Sequence, residues 1–289
     1  MRMALRGKAF KTVEESAQIQ ELSDRKPAGG LRFWLSRLRS YFLWDPLIWF
    51  YTIILGTLSL ISSLFDRDGA VQHGFARLWA RMILGTIGAK VRITGLDKID
   101  MSKAHVFVVN HLSALDTPAL YSSLPCHFRV LAKKELFSYP FMGWHLRRSG
   151  QIPIEQGSVR ATLRSLNMAA DSMKNNLPLM VFPEGGRSTD GHLQPFMSGA
   201  FYIAIKAQAD IVPMALVGTF EMLPMNTWHI RPRPVELLVG DPISTKGMNV
   251  RQVEELTHKA RNAIADLFYS RSSLPDRRPR NLEGQESKR

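Results

Sequence analysis

Residues 106–120 read VFVVNHLSALDTPAL and join an apolar run, a polar turn and the start of another element. The run VFVV has the length and the β-branched composition of a buried strand. Thr117 and Pro118 favour a helix start with Pro118 as the first helical residue, because the nitrogen at that position needs no hydrogen bond. A strand followed directly by a helix is typical of α/β folds, and His111 and Asp116 fall in the turn between the two.

The spacing of His111 and Asp116 allows two interpretations. On one continuous helix, positions five apart lie about 140° away from each other around the axis. A turn removes this restriction, and a carboxylate on one ring nitrogen would fix the tautomer and raise the basicity of the other nitrogen. That arrangement is a general base that works without a protein nucleophile. Alternatively, Asp116 or Thr117 is only the N-cap of the following helix.

The rest of the chain repeats the alternation of strand and helix between about residues 90 and 270. Apolar runs of strand length begin at Val91, Val106, Phe128, Gln151, Leu179, Ile211 and Val235. Helical patterns cover about 117–123, 134–148, 158–176, 199–208 and 250–269. The pattern predicts an α/β fold, a mixed sheet flanked by helices, with functional loops at the strand ends.

The N-terminal part carries a long uncharged segment. Residues 46–65 would span roughly 30 Å as a helix, enough to cross a bilayer, and aromatic residues and upstream arginines flank them. A second segment from Gly74 combines an apolar helical face with a basic margin, as helices on membrane surfaces do. We predict that residues 31–89 associate with a membrane, either as a transmembrane helix or as a helical hairpin in one leaflet. The alternative is that both helices belong to a soluble core.

Composition indicates anionic partners. The 289 residues include 38 Lys and Arg against 25 Asp and Glu, a formal charge of +13. Such a surface suits phospholipid or a phosphorylated substrate. The single cysteine, Cys126, excludes an intramolecular disulfide and favours a cytosol-facing setting. Residues 1–30 and the basic residues 270–289 are predicted to be disordered tails. With residues 31–89 assigned to the membrane-associating helices, residues 90–269 form the predicted α/β domain.

A second polar loop follows another apolar run in VFPEGGRSTDG, which starts at Val181. Gly185 and Gly186 can offer backbone N–H groups to an anion, and the planar guanidinium of Arg187 suits phosphate. Glu184 would repel phosphate, so an acceptor hydroxyl is a better partner for it. The alternative is a Pro-Gly turn with solvated side chains.

Four segments in this order resemble the blocks of the glycerolipid acyltransferase family, specifically the 1-acyl-sn-glycerol-3-phosphate acyltransferases. They are Asn110-His111 with Asp116, GQIPIEQ from Gly150, FPEGGRS from Phe182 and IVPMAL from Ile211. The resemblance covers about residues 90–245. It implies an O-acyltransferase that moves a fatty acyl chain from acyl-CoA or acyl-carrier protein to 1-acyl-glycerol-3-phosphate, giving phosphatidic acid in phospholipid biosynthesis.

The resemblance also implies roles for single residues. His111 would be the catalytic base and Asp116 would orient it. The substrate-binding residues would be Asn110, Lys133, Glu184, Gly185, Gly186, Arg187 and Ser188. No cofactor and no metal is implied, although a metal site from His111, Asp116, Glu184 and His192 is conceivable. The expected partners are a phospholipid membrane, a lysophospholipid acceptor and the acyl donor, with no nucleic acid, and the catalytic domain would face the cytoplasm.

Two positions depart from the family pattern. Gln156 follows Glu155 where arginine is usual, and Met197 stands where lysine is frequent. Two cations expected near an acceptor phosphate are therefore missing, and Lys133, Lys134 or Arg160 would have to replace them. The acceptor head group stays open on this evidence, and a lyso-amino-acid lipid is one alternative. A membrane-bound thioesterase or lipid hydrolase is another, although no G-x-S-x-G sequence is present.

Overall fold

The computed structural model describes residues 30–66, 68–156 and 158–277. The predicted N-terminal tail, apart from Gly30, lies outside the described residues, as does the C-terminal tail from residue 278. Residues 270–277 of that tail are described, and Arg277 Nη1 lies 3.0 Å from Asp190 Oδ2.

Within these ranges, seven strands form one sheet, and all seven apolar runs in the sequence become strands. They are β1 (Val91–Thr94), β2 (Val106–Val109), β3 (Arg129–Lys133), β4 (Ile152–Ile154), β5 (Leu179–Val181), β6 (Ile211–Val217) and β7 (Val235–Val239). The order across the sheet is β1-β7-β6-β2-β5-β3-β4. Neighbouring strands are parallel except β6 and β7, which are antiparallel, so the predicted mixed sheet is confirmed.

The described helices follow the predicted patterns with local differences. They are α1 (Leu31–Arg39), α2 (Asp45–Ser62), α3 (Ala70–Ile87), α4 (Asp116–Ser123), α5 (Met142–Arg148), α6 (Val159–Ser172), α7 (Gly199–Ala207), α8 (Thr219–Met222) and α9 (Val253–Tyr269). A π-helical turn, Ser40–Trp44, joins α1 to α2, and short 3-10 segments cover Leu96–Lys98, Lys134–Ser138, Met173–Asn175 and Val250–Gln252.

Three predicted helix bounds were wrong. The helix expected from residue 117 begins at Asp116, so Pro118 is its third residue, still within the first turn where a missing N–H costs nothing. The amphipathic segment begins at Ala70 and stops at Ile87, because Gly88 closes it in a left-handed conformation with φ 68°. The pattern at 134–148 divides into a 3-10 segment and α5.

Two layers of helices bury the two faces of the sheet. Along β2, Val106 and Val108 belong to the core beneath α6, α7 and α9, whereas Phe107 and Val109 belong to the core beneath α2, α3 and α4. Side chains alternate across a strand, so a strand apolar at every position must be covered on both sides. This requirement explains why VFVV marks a central strand.

The N-terminal helices form a hairpin on one of these layers. Trp79 Nε1 of α3 donates to Thr52 Oγ1 of α2 at 2.8 Å, and Tyr51 Oη donates to Thr86 Oγ1 at 3.3 Å. The helical stretch Leu31–Ser62 is long and apolar enough to cross a membrane. Only 17% of its most apolar 18-residue part is buried. A helix of a soluble core would bury most of this surface, so the core interpretation does not fit its outer face.

Candidate active site

One edge of the sheet collects the polar loops. Strands β6, β2, β5, β3 and β4 run parallel, so their carboxyl ends share one edge. The loop with His111 leaves β2 there, the loop from Phe182 leaves β5, and Lys133 ends β3. Ligands of open α/β sheets bind at this edge.

His111 and Asp116 are in direct contact. Asp116 Oδ2 lies 2.8 Å from His111 Nδ1, and the Asp116 side chain is completely buried while 20% of the His111 side chain is exposed. Nδ1 carries the hydrogen in this pair, so Nε2 is left as the acceptor nitrogen, and it has no hydrogen-bond partner among the described residues. Geometrically, His111 is therefore arranged as a base.

The Asp116 carboxylate also organises the turn before it. Oδ2 accepts the backbone N–H of Leu112 at 2.6 Å and of Ser113 at 2.8 Å. Asp116 is the first residue of α4, where the helix dipole favours a negative charge. The N-cap is Leu115, which forms no side-chain cap. The N-cap interpretation of Asp116 was therefore wrong, because its carboxylate binds the turn on its N-terminal side.

Phe182 supports the imidazole from the neighbouring strand end. Its ring stacks on His111 with centroids 4.0 Å apart and planes inclined by 22°. The sequence analysis missed this contact, and the only signal for it is the position of Phe182 directly after β5. Stacking on one side and Asp116 on one nitrogen fix the orientation of His111.

Glu184 connects the two central loops. Its Oε1 accepts the backbone N–H of His111 at 3.2 Å, and its Oε2 accepts that of Gln194 at 3.3 Å. Burial of the carboxyl raises the pKa of Glu184 to about 8. With both oxygens used by the backbone, Glu184 is better placed to hold the loops than to bind an acceptor hydroxyl, the role that we predicted for it.

The loop that carries Gly185, Gly186 and Arg187, called the glycine loop below, keeps part of its predicted capacity to bind an anion. Gly185 has a φ of 69° and donates its N–H to Phe182 O at 3.2 Å, so this donor is not available to a ligand. The N–H groups of Gly186 and Arg187 have no partner in the described part of the chain. The Arg187 side chain is exposed, and no ion pair with another described residue engages it. Ser188, by contrast, is buried, and its N–H donates to His111 O at 2.9 Å.

Asn110 occupies a different environment from the one predicted. Its side chain is completely buried. Nδ2 donates to Leu216 O at 2.9 Å and Oδ1 accepts from Leu216 N at 2.8 Å. Both ends of the amide are therefore occupied by strand β6, and the side chain joins strands rather than facing a ligand.

The two lysines after β3 differ in their partners. Lys134 Nζ forms an ion pair with Glu155 Oε2 at 2.8 Å. Lys133 is exposed at the end of β3 and has no ion-pair partner in the described ranges. Of these two lysines, Lys133 therefore keeps a charge that is unpaired among the described residues.

The two residues that depart from the family pattern touch each other. Gln156 Nε2 lies 3.9 Å from Met197 Sδ. The Met197 methyl group also occupies the space in which a β-carbon on Gly185 would lie. Gln156 and Met197 thus form one uncharged cluster against the glycine loop.

The conceivable metal site was a set of four side chains, those of His111, Asp116, Glu184 and His192. Within the described ranges, no group of three or more His, Cys, Asp or Glu side chains is arranged to hold a metal ion. His192 instead faces Tyr269, with 3.5 Å between Nδ1 and Oη.

Comparison with known proteins places this geometry in context. The family model described as Acyltransferase matches residues 90–217. The chain is 33% identical over 206 residues to the 1-acyl-sn-glycerol-3-phosphate acyltransferase BAT2 of Brassica napus. The aligned region covers 70% of this chain and 58% of that protein. It is 30% identical over 259 residues to a 1-acyl-sn-glycerol-3-phosphate acyltransferase of Chlamydomonas reinhardtii, covering 88% of this chain and 74% of that protein.

A solved structure has a similar fold. The crystal structure of the 1-acyl-sn-glycerophosphate (LPA) acyltransferase PlsC from Thermotoga maritima superposes with a TM-score of 0.63 at 25% identity. The match covers 82% of this chain and 96% of the Thermotoga chain. The similarity therefore extends beyond the strand-end loops to most of the described architecture.

Proposed function

This chain belongs to the 1-acyl-sn-glycerol-3-phosphate acyltransferase family, and from that membership we propose that it transfers a fatty acyl chain from an acyl thioester to 1-acyl-sn-glycerol 3-phosphate. The products are phosphatidic acid and a free thiol. The observation that carries the proposal is the His111–Asp116 pair at the strand-end edge, with Nε2 of His111 free to take a proton.

The reaction needs one group that takes a proton from the acceptor hydroxyl and later gives it to the leaving thiolate. His111 Nε2 removes the proton of the acceptor hydroxyl as its oxygen attacks the thioester carbonyl. Asp116 stabilises the imidazolium that forms. Collapse of the tetrahedral intermediate breaks the carbon–sulfur bond, and the imidazolium returns its proton to the leaving thiolate. This sequence uses no protein nucleophile, no metal and no cofactor.

The acceptor phosphate binds at the glycine loop. Arg187 supplies a permanent charge, and the N–H groups of Gly186 and Arg187 add hydrogen-bond donors without a protein partner among the described residues. Lys133 adds a second cation at the end of a neighbouring parallel strand. These groups replace the cations that are absent at Gln156 and Met197.

The reaction takes place at a membrane surface, because the acceptor is an amphiphile held in a bilayer. The outer surface of the N-terminal helices exposes apolar side chains, those of Phe42, Trp49, Phe50, Ile53 and Ile61. Binding to a bilayer would transfer these side chains from water to lipid. The net charge of +13 favours anionic lipid and a polyanionic donor. A cytoplasmic setting would supply the donor, acyl-CoA or acyl-carrier protein.

The test is acyl transfer by the full chain reconstituted in vesicles of phosphatidylcholine and phosphatidylglycerol. Labelled acyl-CoA and acyl-carrier protein are supplied in turn, with lysophosphatidate and lysophosphatidylcholine offered together. We expect labelled phosphatidate as the main product and none with His111→Ala. Free fatty acid without acylated lipid would identify a hydrolase, and a labelled product from the zwitterionic lysolipid alone would identify a different acceptor.

A further inference from the structure

A short aromatic segment that follows the carboxyl end of β3 is not used by the proposed reaction. Residues 139–144, YPFMGW, follow the 3-10 turn after β3 and include the first three residues of helix α5. Four of these six side chains are large, apolar and about half exposed: Tyr139 55%, Phe141 50%, Met142 46% and Trp144 54%. Single exposed apolar residues are common, but four in six consecutive positions mark an interaction surface.

The backbone of this segment is strained at its centre. Phe141 has φ 64° and ψ −64°, and Met142 N donates to Pro140 O at 2.7 Å across it. This is the rare γ-turn with positive φ, which is unfavourable for a residue with a side chain. Glycine would adopt the same turn without that penalty. The strained residue instead carries a half-exposed aromatic ring, 5.8 Å from the ring of Trp144.

Helix α5, which begins within the segment, is fixed to the end of the helical hairpin. Ser59 Oγ of α2 lies 3.2 Å from His145 Nδ1 of α5. Gly69, between α2 and α3, packs so closely against Ser149 that a β-carbon there would lie 2.7 Å from the Ser149 carbonyl oxygen. The hairpin end that holds α5 is itself apolar and exposed, with Leu64 at 69% and Phe65 at 87%. Apolar side chains are therefore exposed both in the segment and at the hairpin end to which α5 is fixed.

Charged residues follow the aromatic segment. Arg147 and Arg148 lie in the last turn of α5, are exposed, and form no ion pair with another described residue. Aromatic rings beside arginines match the interface of a bilayer, where the rings enter the boundary of the acyl chains and the cations meet anionic head groups.

We propose that residues 139–144 insert into the same leaflet as the hairpin and form a second membrane contact, with Arg147 and Arg148 at the head groups. Together the two contacts would hold the strand-end edge at a fixed angle to the bilayer, because the aromatic segment follows β3 at that edge. The inference rests on the membrane location in the proposed function, but it does not depend on the chemistry at His111.

The first experiment measures the depth of residue 141 in a bilayer. The full chain with Cys126→Ser and Phe141→Cys is labelled with an environment-sensitive fluorophore and reconstituted in vesicles of phosphatidylcholine and phosphatidylglycerol. The matched control is Val159→Cys in the same background, because Val159 is 79% exposed on α6, on the other face of the sheet. We expect the probe at 141 to be quenched by an acyl-chain quencher, and the probe at 159 by iodide in the water.

Equal access of iodide to both probes would overturn the proposal. The proposal would also fail if the probe at residue 141 became protected from iodide only when the protein concentration was raised at constant lipid. That result would mean that the surface joins two copies of the chain. Both results are independent of acyl transfer, since no substrate is present. Loss of catalysis with a protected probe would count against the proposed function alone.

The second experiment separates membrane contact from folding. Phe141→Gly removes the ring and relieves the positive φ. We expect the thermal midpoint in detergent to be unchanged or higher, while binding to vesicles weakens several-fold. A lower midpoint with unchanged vesicle binding would show that the ring serves the packing of the protein, and the proposal would be wrong.

Discussion

The Asp116 carboxylate binds His111 Nδ1 at 2.8 Å with the same oxygen that accepts the backbone N–H groups of the turn between them. One buried atom thus sets both the shape of the turn and the orientation of the imidazole. A carboxylate held by two backbone donors cannot swing away from the ring without breaking the turn. The geometry of the base is therefore built into the start of helix α4.

Replacing either member of this pair should remove turnover. We expect His111→Ala and Asp116→Asn each to lower kcat by roughly 10³- to 10⁴-fold, because the base is lost in one and the tautomer and charge are lost in the other. Rates of acyl transfer in vesicles test this. His258→Ala, at an exposed histidine of α9, is the matched control and should keep full activity. Near-normal turnover of the His111 variant would contradict the assignment.

Local sequence pattern predicted the strands well. Each of the seven apolar runs became a strand. The signal is clearest at residues 106–109, because a strand covered on both faces must be apolar at every position. The spacing of His111 and Asp116 left two interpretations open, and only the resemblance to the acyltransferase family favoured the contact between them that the structure has. The order of the strands was not predictable, because it depends on pairings between distant segments such as Val106 with Ile211.

The roles within the site were harder to predict for the same reason. Asn110 was expected to face a ligand, but its amide pairs with Leu216, 106 positions away. The stacking of Phe182 on His111 and the contact of Gln156 with Met197 also join separate loops. Motif spacing contains no information about such contacts until the strand order is known.

Glu184 should make stability depend on pH. The folded protein holds this proton up to a pKa of about 8, whereas the unfolded chain releases it near 4.5. Between these values the folded state binds more protons, so the free energy of unfolding should fall as pH rises from 4.5 to 8 and lose nothing further from this group above 8. Thermal midpoints across this range test the slope.

The variant Glu184→Gln isolates this contribution. Because glutamine does not titrate, the thermal midpoint of the variant should decline less over the same pH range than that of the unchanged protein. Glutamine can accept only one of the two backbone N–H groups, which adds a loss of stability that is constant with pH. Identical pH slopes in the two proteins would mean that Glu184 is ionised in the folded state at every pH measured.

Arg187 should act on the binding of the acceptor. Because its guanidinium is exposed and unpaired among the described residues, Arg187→Ala should leave the fold intact and raise the KM for lysophosphatidate by roughly tenfold or more. Arg92→Ala is the control, since Arg92 is an exposed arginine on the edge strand β1. A change confined to kcat would argue against a phosphate contact.

Asn110 should prove to be a structural residue. Asn110→Ala leaves the N–H and C=O groups of Leu216 without these partners inside the sheet, so we expect the free energy of unfolding to fall by about 2 to 4 kcal/mol. Chemical denaturation measures it. Asn249→Ala, which removes an exposed cap, should cost only about 1 kcal/mol. A raised KM at unchanged stability would restore the role in substrate binding that the sequence predicted.

The Gln156–Met197 cluster should determine how strongly the acceptor phosphate is held. Both residues are uncharged and lie against Gly185, next to the loop residue Arg187. Introducing Gln156→Arg and Met197→Lys together would add two positive charges there. We expect the KM for lysophosphatidate to fall several-fold and the KM for lysophosphatidylcholine to stay unchanged, because only the first carries an unmasked phosphate monoester.

Salt and a neutral variant complete this test. The gain in affinity should shrink as ionic strength rises, since exposed charges are screened over roughly 8 Å at 0.15 M salt. Met197→Leu keeps the size and removes only the thioether, so its KM should match that of the unchanged protein. If the double variant left the KM for lysophosphatidate unaltered at low salt, the phosphate would bind away from this cluster, and the two departures from the family pattern would have no bearing on the choice of acceptor.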